Sequence, residues 1–155
     1  MRRRIAEANA SKRLRDVFRV VHFSVQDNHV HMIVEALDAR ALSRGVQGLA
    51  IRLARRVNAM LGIRGPFWGE RFHSRELGYP RSVRNAIVYV LMNAKKHGHD
   101  FDVDPCSSAP WFDGFMGHAP RDGPSPTRSP NTWLAAKGWR MRGLVRLDER
   151  PRIPA

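Results

Sequence analysis

Residues 17–36 read Val17-Phe-Arg-Val-Val-His-Phe-Ser-Val25, then Gln26-Asp-Asn28, then His29-Val-His-Met-Ile-Val-Glu-Ala36. The first and third runs are rich in β-branched and aromatic residues, which favour strands. The middle run consists of residues that favour turns. Together the three runs predict a β-hairpin with His29 and His31 on its second strand.

Helices are predicted on both sides of a polar segment that follows the hairpin. Apolar residues at spacings of three and four predict a helix over residues 41–61, which Gly62 ends. A second helix is predicted over residues 82–97, opened by Pro80 and stopped by Gly98. Residues 5–15 indicate the end of a helix, and residues 67–77 indicate an extended segment. The order predicts an α+β fold, with helices packed on one face of an antiparallel sheet.

Composition indicates one basic globular unit and a loop-rich tail. The chain has 155 residues, of which 43% are hydrophobic, and a formal net charge of +13, which favours a polyanionic partner. Residues 1–100 carry 19 of the 27 basic and 8 of the 14 acidic residues, whereas six of the ten prolines lie within 105–130. We therefore expect a folded domain over 1–100 and a Pro/Gly-rich tail over 101–155, with a short packed element near 131–147.

The sequence also excludes several classes of protein. A single cysteine, Cys106, excludes a disulfide framework and a multi-cysteine zinc site. No window approaches the ~18 apolar residues of a membrane span, and Met1-Arg-Arg-Arg4 lacks the apolar core of a signal peptide. We expect a cytoplasmic protein that associates with the nucleoid through DNA.

The first candidate for chemistry is the pair His29 and His31. Side chains at i and i+2 of a strand share a face, so the two imidazoles stand together and can grip one divalent cation. The alternative is two exposed histidines on a sheet face, or one buried and one hydrogen-bonded. Val30, Met32 and Val34 then face the helices.

The second candidate is Tyr89 on the last helix. At ~100° per residue it falls well away from the apolar stripe, on the face shared with Asn85 and Asn93. Asn93 lies one turn later, where it can add a carbonyl ligand or orient the phenol. The alternative is a tyrosine at the rim of the sheet.

Together these segments resemble the single-tyrosine HUH transposases, and most closely the REP-associated tyrosine transposases and their insertion-sequence relatives. The resemblance extends from about Phe18 to His99 and rests on three motifs that occur in the family's order. These motifs are Asp27-Asn-His-Val-His-Met-Ile-Val34, Trp68-Gly-Glu-Arg-Phe-His73 and Ala86-Ile-Val-Tyr-Val-Leu-Met-Asn-Ala94. It implies a ferredoxin-like HUH endonuclease fold.

The resemblance implies a metal-dependent single-strand DNA endonuclease and strand transferase for DNA transposition. By that likeness His29 and His31 hold Mg²⁺ or Mn²⁺, and Asn93 assists them. Tyr89 matches the nucleophile, which keeps a 5′-phosphotyrosine and leaves a 3′-OH. The partner is single-stranded or hairpin DNA, and a homodimer is one expected assembly.

The basic charge supports DNA as the partner. Arginine supplies 23 of the 27 basic residues, and its planar fork suits phosphates and guanine edges. The candidate DNA-binding residues are Arg52, Arg55, Arg56, Arg71, Arg75 and Arg81, with Phe67, Trp68 or Phe72 available for base stacking. The alternative is a solvated basic face over core aromatics.

The family begins with a strand and a full helix, and the residues before Val17 are too few for both. Either translation starts upstream, or the sheet lacks its first strand. Two functions therefore stay open, which are an active transposase and a non-catalytic nucleic-acid-binding relic or domesticated module. A metal hydrolase acting on small molecules is disfavoured, because further Asp or His ligands are missing and the domain is strongly basic.

Four other residues or pairs receive weaker functional interpretations. His22 lies on the strand beside the pair and is as consistent with packing as with supporting the site. We expect His73 to be structural, and His97 and His99 to lie at a helix C-cap. Tyr79 precedes Pro80 in a turn and is not the expected nucleophile.

Overall fold

The computed structural model describes residues 2–10, 16–96, 98, 99 and 101–151, and in the first helix the side chains of residues 2, 3 and 5–7 only. The helices are α1 (Arg2–Ala10), α2 (Ala39–Leu61), α3 (Pro80–Leu91), α4 (Asn93–Lys96) and α5 (Trp133–Ala136). The strands are β1 (Phe18–Val25) and β2 (Val30–Ala36), and short 3₁₀ turns span Ala109–Trp111 and Gly138–Arg142. None of the helices in these ranges combines the length and the apolar character that crossing a membrane requires.

The predicted hairpin is confirmed. β1 and β2 pair antiparallel, with Phe18 opposite Ala36 and Val25 opposite Val30. A bulge at Val21 shifts the register between Val20 and His22. Because a bulge adds one residue to one strand, both Val21 and His22 point to the same face of the hairpin.

The α+β class is confirmed, but helices cover both faces of the sheet instead of one. On one face Phe18, Val20 and Phe23 pack with Ile5 of α1 and with Val46, Leu49 and Leu53 of α2. On the other face Val21 and Ile33 pack with Val83, Ile87, Val90 and Leu91 of α3. The reason is that both strands carry apolar residues on both faces, and each face needs a cover.

Local caps fix the ends of the long helices. Asp38 accepts a hydrogen bond from the Ala41 amide at 2.7 Å, and Gly62 ends α2 with φ +66°. In α3, Pro80 occupies the first turn. That helix ends at Leu91 instead of continuing to residue 97, and α4 begins at Asn93 after a break at Met92. His97 lies outside the described residues.

The extended segment predicted over residues 67–77 forms no strand. Residues 69–76 are exposed and irregular, and the described sheet contains β1 and β2 only. Trp68 attaches the segment to α2 instead, because its Nε1 donates to the Ala50 carbonyl at 2.9 Å. The segment is thus attached by side-chain contacts, which include those of Trp68 and Leu77, and not by a β-ladder.

Residues after 100 contribute to the core that lies against α3. Phe112, Phe115, Trp139 and Val145 are buried in the same cluster as Ile87 and Leu91. The chain also runs along the free edge of β1, where the Val25 amide donates to Cys106 and the Arg128 amide donates to Val20. The core on the α3 face is therefore built from both sides of residue 100.

Candidate active site

The two histidines of the hairpin meet at their ring nitrogens. His29 precedes β2 and His31 lies opposite Ser24, and the two Nε2 atoms are 3.0 Å apart. Ligands at right angles on an octahedral ion, each ~2.1 Å from it, lie about 3.0 Å from one another. The pair therefore has a separation that suits adjacent positions around one small cation.

Asn28 orients the first of these histidines, a role that the sequence analysis missed. Its Oδ1 lies 2.7 Å from Nδ1 of His29. A proton on Nδ1 that is donated to this oxygen leaves a lone pair on Nε2, which is the form of imidazole that binds a metal. The Asp27-Asn28 turn thus places an acceptor oxygen beside Nδ1 of His29 as well as reversing the chain.

Tyr89 of α3 lies beside the histidine pair. Its ring centroid is 4.9 Å from that of His31, with the rings edge to face. The side chain is half-buried at the margin of the core on the α3 face. The hairpin and α3, which are distant in sequence, thus bring an imidazole pair and a phenol together.

Lys96 adds a positive charge to this surface that the sequence analysis did not select. Its Nζ lies 5.5 Å from the centroid of the Tyr89 ring. The lysine side chain is exposed, so an anionic ligand at Tyr89 has access to it. Its signal in the sequence is only that it lies seven residues, or two helical turns, after Tyr89.

Asn93 is fully buried, and its amide is half satisfied. Its Nδ2 donates to the Tyr89 carbonyl at 3.2 Å. Its Oδ1 is buried with no hydrogen-bond partner among the described residues. An unpartnered buried carbonyl oxygen is costly, and a bound water or cation would offset that cost.

The histidine pair and Asn93 do not make up a structural zinc site. The described part of the chain holds no cluster of three or more His, Cys, Asp and Glu side chains placed to bind a metal. An amide oxygen with water in the open positions suits Mg²⁺ or Mn²⁺, whereas imidazole also binds zinc, copper, iron and nickel. A structural zinc would require a fourth strong ligand.

His22 is separate from the histidine pair. It contacts Phe112 edge to face with centroids 5.2 Å apart, and its Nδ1 has no partner within the described structure. Burial lowers the pKa of His22 to about 4, against a smaller raising effect from Asp113. This histidine is therefore a neutral packing residue at neutral pH.

The other candidates lie on the surface. His73 is exposed and 4.0 Å from Glu70, and His99 stacks on Phe101 with centroids 5.8 Å apart. Tyr79 is 61% exposed at the start of α3, and Cys106 is an exposed free thiol. None of these contacts brings them to the histidine pair.

The six candidate DNA-binding arginines are all exposed, but they occupy different elements. Three of them line one shallow open groove on the outer face of α2, together with Ala59, and these are Arg52, Arg55 and Arg56. Arg71 and Arg75 lie in the irregular segment after α2, and Arg81 lies in the first turn of α3. The groove on α2 is the most compact basic surface of the set.

Of the three candidate stacking residues, Phe72 is the most accessible. It is 46% exposed. Phe67 packs edge to face on Trp68 with centroids 4.7 Å apart, and Trp68 is itself attached to α2. The sequence could not separate these roles because all three aromatics lie within six residues.

The comparison with protein families agrees with this geometry. A family model described as "Transposase IS200 like" matches residues 1–91, which include the histidine pair, the α2 groove and Tyr89. Neither a curated protein nor a solved structure matches the chain. Because the matched residues are more than half of the chain, this protein belongs to the IS200-like transposase family.

Proposed function

We propose that the chain is a metal-dependent single-strand DNA endonuclease and strand transferase that uses Tyr89 as its nucleophile. The single observation that carries the proposal is the contact between the rings of Tyr89 and His31, beside the close pair of Nε2 atoms. A phenol next to a cation site is the arrangement that phosphoryl transfer to tyrosine requires.

In the proposed cleavage step, the Tyr89 oxygen attacks the scissile phosphorus. The bond between phosphorus and O3′ breaks, and a bond between the phenol oxygen and phosphorus forms. The phenol loses its proton and the departing O3′ gains one, which gives a 5′-phosphotyrosine and a free 3′-OH. Attack by a second DNA 3′-OH reverses these bond changes and joins the strands, so no nucleotide cofactor is needed.

The residues that would hold Mg²⁺ or Mn²⁺ are His29, His31 and Asn93. Their support is the 3.0 Å separation of the imidazole nitrogens and the unpartnered Oδ1 of Asn93. When bound, the cation would neutralise the charge that develops on the phosphate and ease departure of the leaving oxygen. Asn28 would keep His29 in the coordinating tautomer.

The DNA would be held by the exposed arginines. The groove of Arg52, Arg55 and Arg56 offers three exposed guanidinium groups along one helix, which are suited to binding phosphates. Phe72 offers an exposed ring for base stacking. Single-stranded and hairpin DNA are the proposed substrates.

The proposal is tested by covalent capture of DNA. Single-stranded DNA from the sequence flanking the gene is incubated with the protein in Mn²⁺ or in EDTA and analysed on a denaturing gel. A 3′-end label is expected to migrate with the protein in Mn²⁺ only, while a 5′-end label appears on a shorter fragment that ends in 3′-OH.

The chain provides a matched control because it contains two tyrosines. Tyr89→Phe and His29→Ala are expected to abolish the adduct, whereas Tyr79→Phe leaves it unchanged. Salt-sensitive binding of wild-type protein without any adduct would reject the nuclease and favour the non-catalytic binding module.

A further inference from the structure

The loop at residues 143–149 is bound to the helix that carries Tyr89 through hydrogen bonds and an ion pair. The Arg84 guanidinium of α3 makes a two-pronged ion pair with the Glu149 carboxylate, with N–O distances of 2.6 and 3.0 Å. The same guanidinium donates to the carbonyls of Gly143 and Leu144, both at 2.9 Å. One arginine thus satisfies three acceptor groups of a single loop.

A second hydrogen-bonded contact with this loop lies just after the C-terminal end of α3. The Lys95 ammonium donates to the Leu147 carbonyl, which belongs to the same loop. Tyr89 lies between Arg84 and Lys95 in the chain, so the loop holds the helix on both sides of the tyrosine. Both contacts are oriented by hydrogen bonds, which fix direction as well as distance.

The ion pair is shielded enough to be geometrically selective. The Arg84 and Glu149 side chains are 17% and 24% exposed. Bidentate pairing restricts the relative orientation of the two planar groups, unlike the exposed pair between Arg146 and Asp148 in the same loop, whose side chains are 62% and 69% exposed. The loop therefore contains one partly buried ion pair and one solvent-exposed ion pair of similar chemistry.

Other side chains of α3 face the hairpin. Ile87 and Leu91 pack with Ile33 of β2, and Tyr89 meets His31. A shift of α3 that left its fold intact would change the separation of the Tyr89 and His31 rings. Phosphoryl transfer depends steeply on such distances, and a displacement of 1 Å can cost about 100-fold in rate.

We propose that Arg84 and Glu149 are positioning residues, through which the C-terminal loop holds Tyr89 against His31. This inference rests on the proposed function, because the positioned group is the proposed nucleophile. It makes residues 143–149, which lie beyond the family match, a part of the catalytic unit. Neither residue touches the reacting atoms, so both act through the helix.

The test compares Glu149→Gln and Arg84→Lys with Asp148→Asn as the matched control. Single-turnover adduct formation is measured at saturating single-stranded DNA, well below the melting temperature of each variant. We expect the first two variants to lose about 10- to 100-fold in rate with unchanged DNA affinity, and the control to match wild type. An equal loss in Asp148→Asn, or no loss in either Glu149→Gln or Arg84→Lys, overturns the proposal.

A second readout does not depend on catalysis. The nuclear Overhauser effect between the Tyr89 and His31 ring protons reports their contact directly. We expect it in wild type and in Asp148→Asn, and a weakened effect in folded Glu149→Gln. If wild type forms no adduct, the proposed function fails. An undiminished nuclear Overhauser effect in Glu149→Gln would separately reject the positioning role of Arg84 and Glu149.

Discussion

At the scale of single residues, the buried imidazole of His22 makes stability depend on pH. Its folded pKa of about 4 lies below the ordinary histidine pKa of 6.5 because burial disfavours the charged ring. As the pH falls, the unfolded chain protonates His22 before the folded chain does. The contribution of the neutral ring to the free energy of unfolding is therefore fully present above pH 6.5 and is lost as the pH falls towards 4. We expect wild type to lose roughly 2 kcal/mol of unfolding free energy from His22 between pH 7 and 5.

The variant His22→Phe isolates this effect. Phenylalanine keeps an aromatic ring against Phe112, and the Nδ1 that it removes has no partner in the described structure. Urea denaturation at pH 7 and pH 5 is expected to show a smaller difference between the two pH values for the variant than for wild type. Equal differences would show that His22 titrates normally in the folded protein.

The site residues divide into those that a sequence can reveal and those that it cannot. The strand spacing of His29 and His31 and the helical position of Tyr89 follow from periodicity, and the structure brings their rings together. The role of Asn28 depends on a side-chain contact inside a turn, which periodicity does not contain. The contact of Lys96 with the Tyr89 ring likewise depends on where a long side chain lies, which periodicity does not contain.

At the scale of elements, α2 approaches the sheet closely because Gly45 lacks a side chain. A Cβ at this position would lie 2.3 Å from two carbons of the Phe18 ring. The substitution Gly45→Ala should lower the free energy of unfolding by about 1–3 kcal/mol through overpacking and raise it by about 0.5–1 kcal/mol through helix propensity. We expect a net loss of about 1–2 kcal/mol, measured as a lower urea midpoint.

Gly48 of the same helix is the control. A Cβ there would meet only the flexible Arg52 guanidinium, at 3.5 Å. Gly48→Ala is expected to stabilise the protein by about 0.5–1 kcal/mol through propensity alone. Destabilisation of similar size by both substitutions would argue against the contact between Gly45 and Phe18.

The elements themselves were largely predictable, and the exceptions have physical causes. The hairpin and α2 carry strong periodic signals, and their observed bounds lie within two residues of the predicted ones. Residues 67–77 have aromatic residues typical of a strand, yet packing of Trp68 on α2 replaces pairing with a neighbour. The bulge at Val21 and the packing of helices on both faces of the hairpin depend on tertiary contacts that a local pattern does not encode.

At the scale of the whole molecule, the C-terminal segment shows why a core can escape sequence analysis. Phe112, Phe115, Trp139 and Val145 are buried with α3 but have no helical or strand periodicity. Prolines between them favour the interpretation of a tail. Glu35 attaches this segment to the hairpin, because its carboxylate accepts hydrogen bonds from the Asn131 and Thr132 amides at 2.7 and 2.8 Å.

The net charge of +13 predicts salt-dependent binding of DNA, and the groove on α2 predicts where most of that dependence originates. For single strands the slope of log K against log salt is about −0.7 per neutralised phosphate. The triple variant Arg52→Gln, Arg55→Gln, Arg56→Gln is therefore expected to reduce the slope by about 2, if each arginine contacts one phosphate.

The control removes the same charge elsewhere, with Arg121→Gln, Arg142→Gln and Arg150→Gln on the exposed C-terminal segment. Fluorescence anisotropy with a labelled single strand, at salt concentrations between about 50 and 300 mM, measures the slope for each of the two triple variants. Since both lower the net charge by three, a long-range effect of charge would reduce both slopes equally. A reduction confined to the α2 variant assigns the phosphate contacts to the groove, whereas equal reductions would reject it as the principal DNA-binding surface.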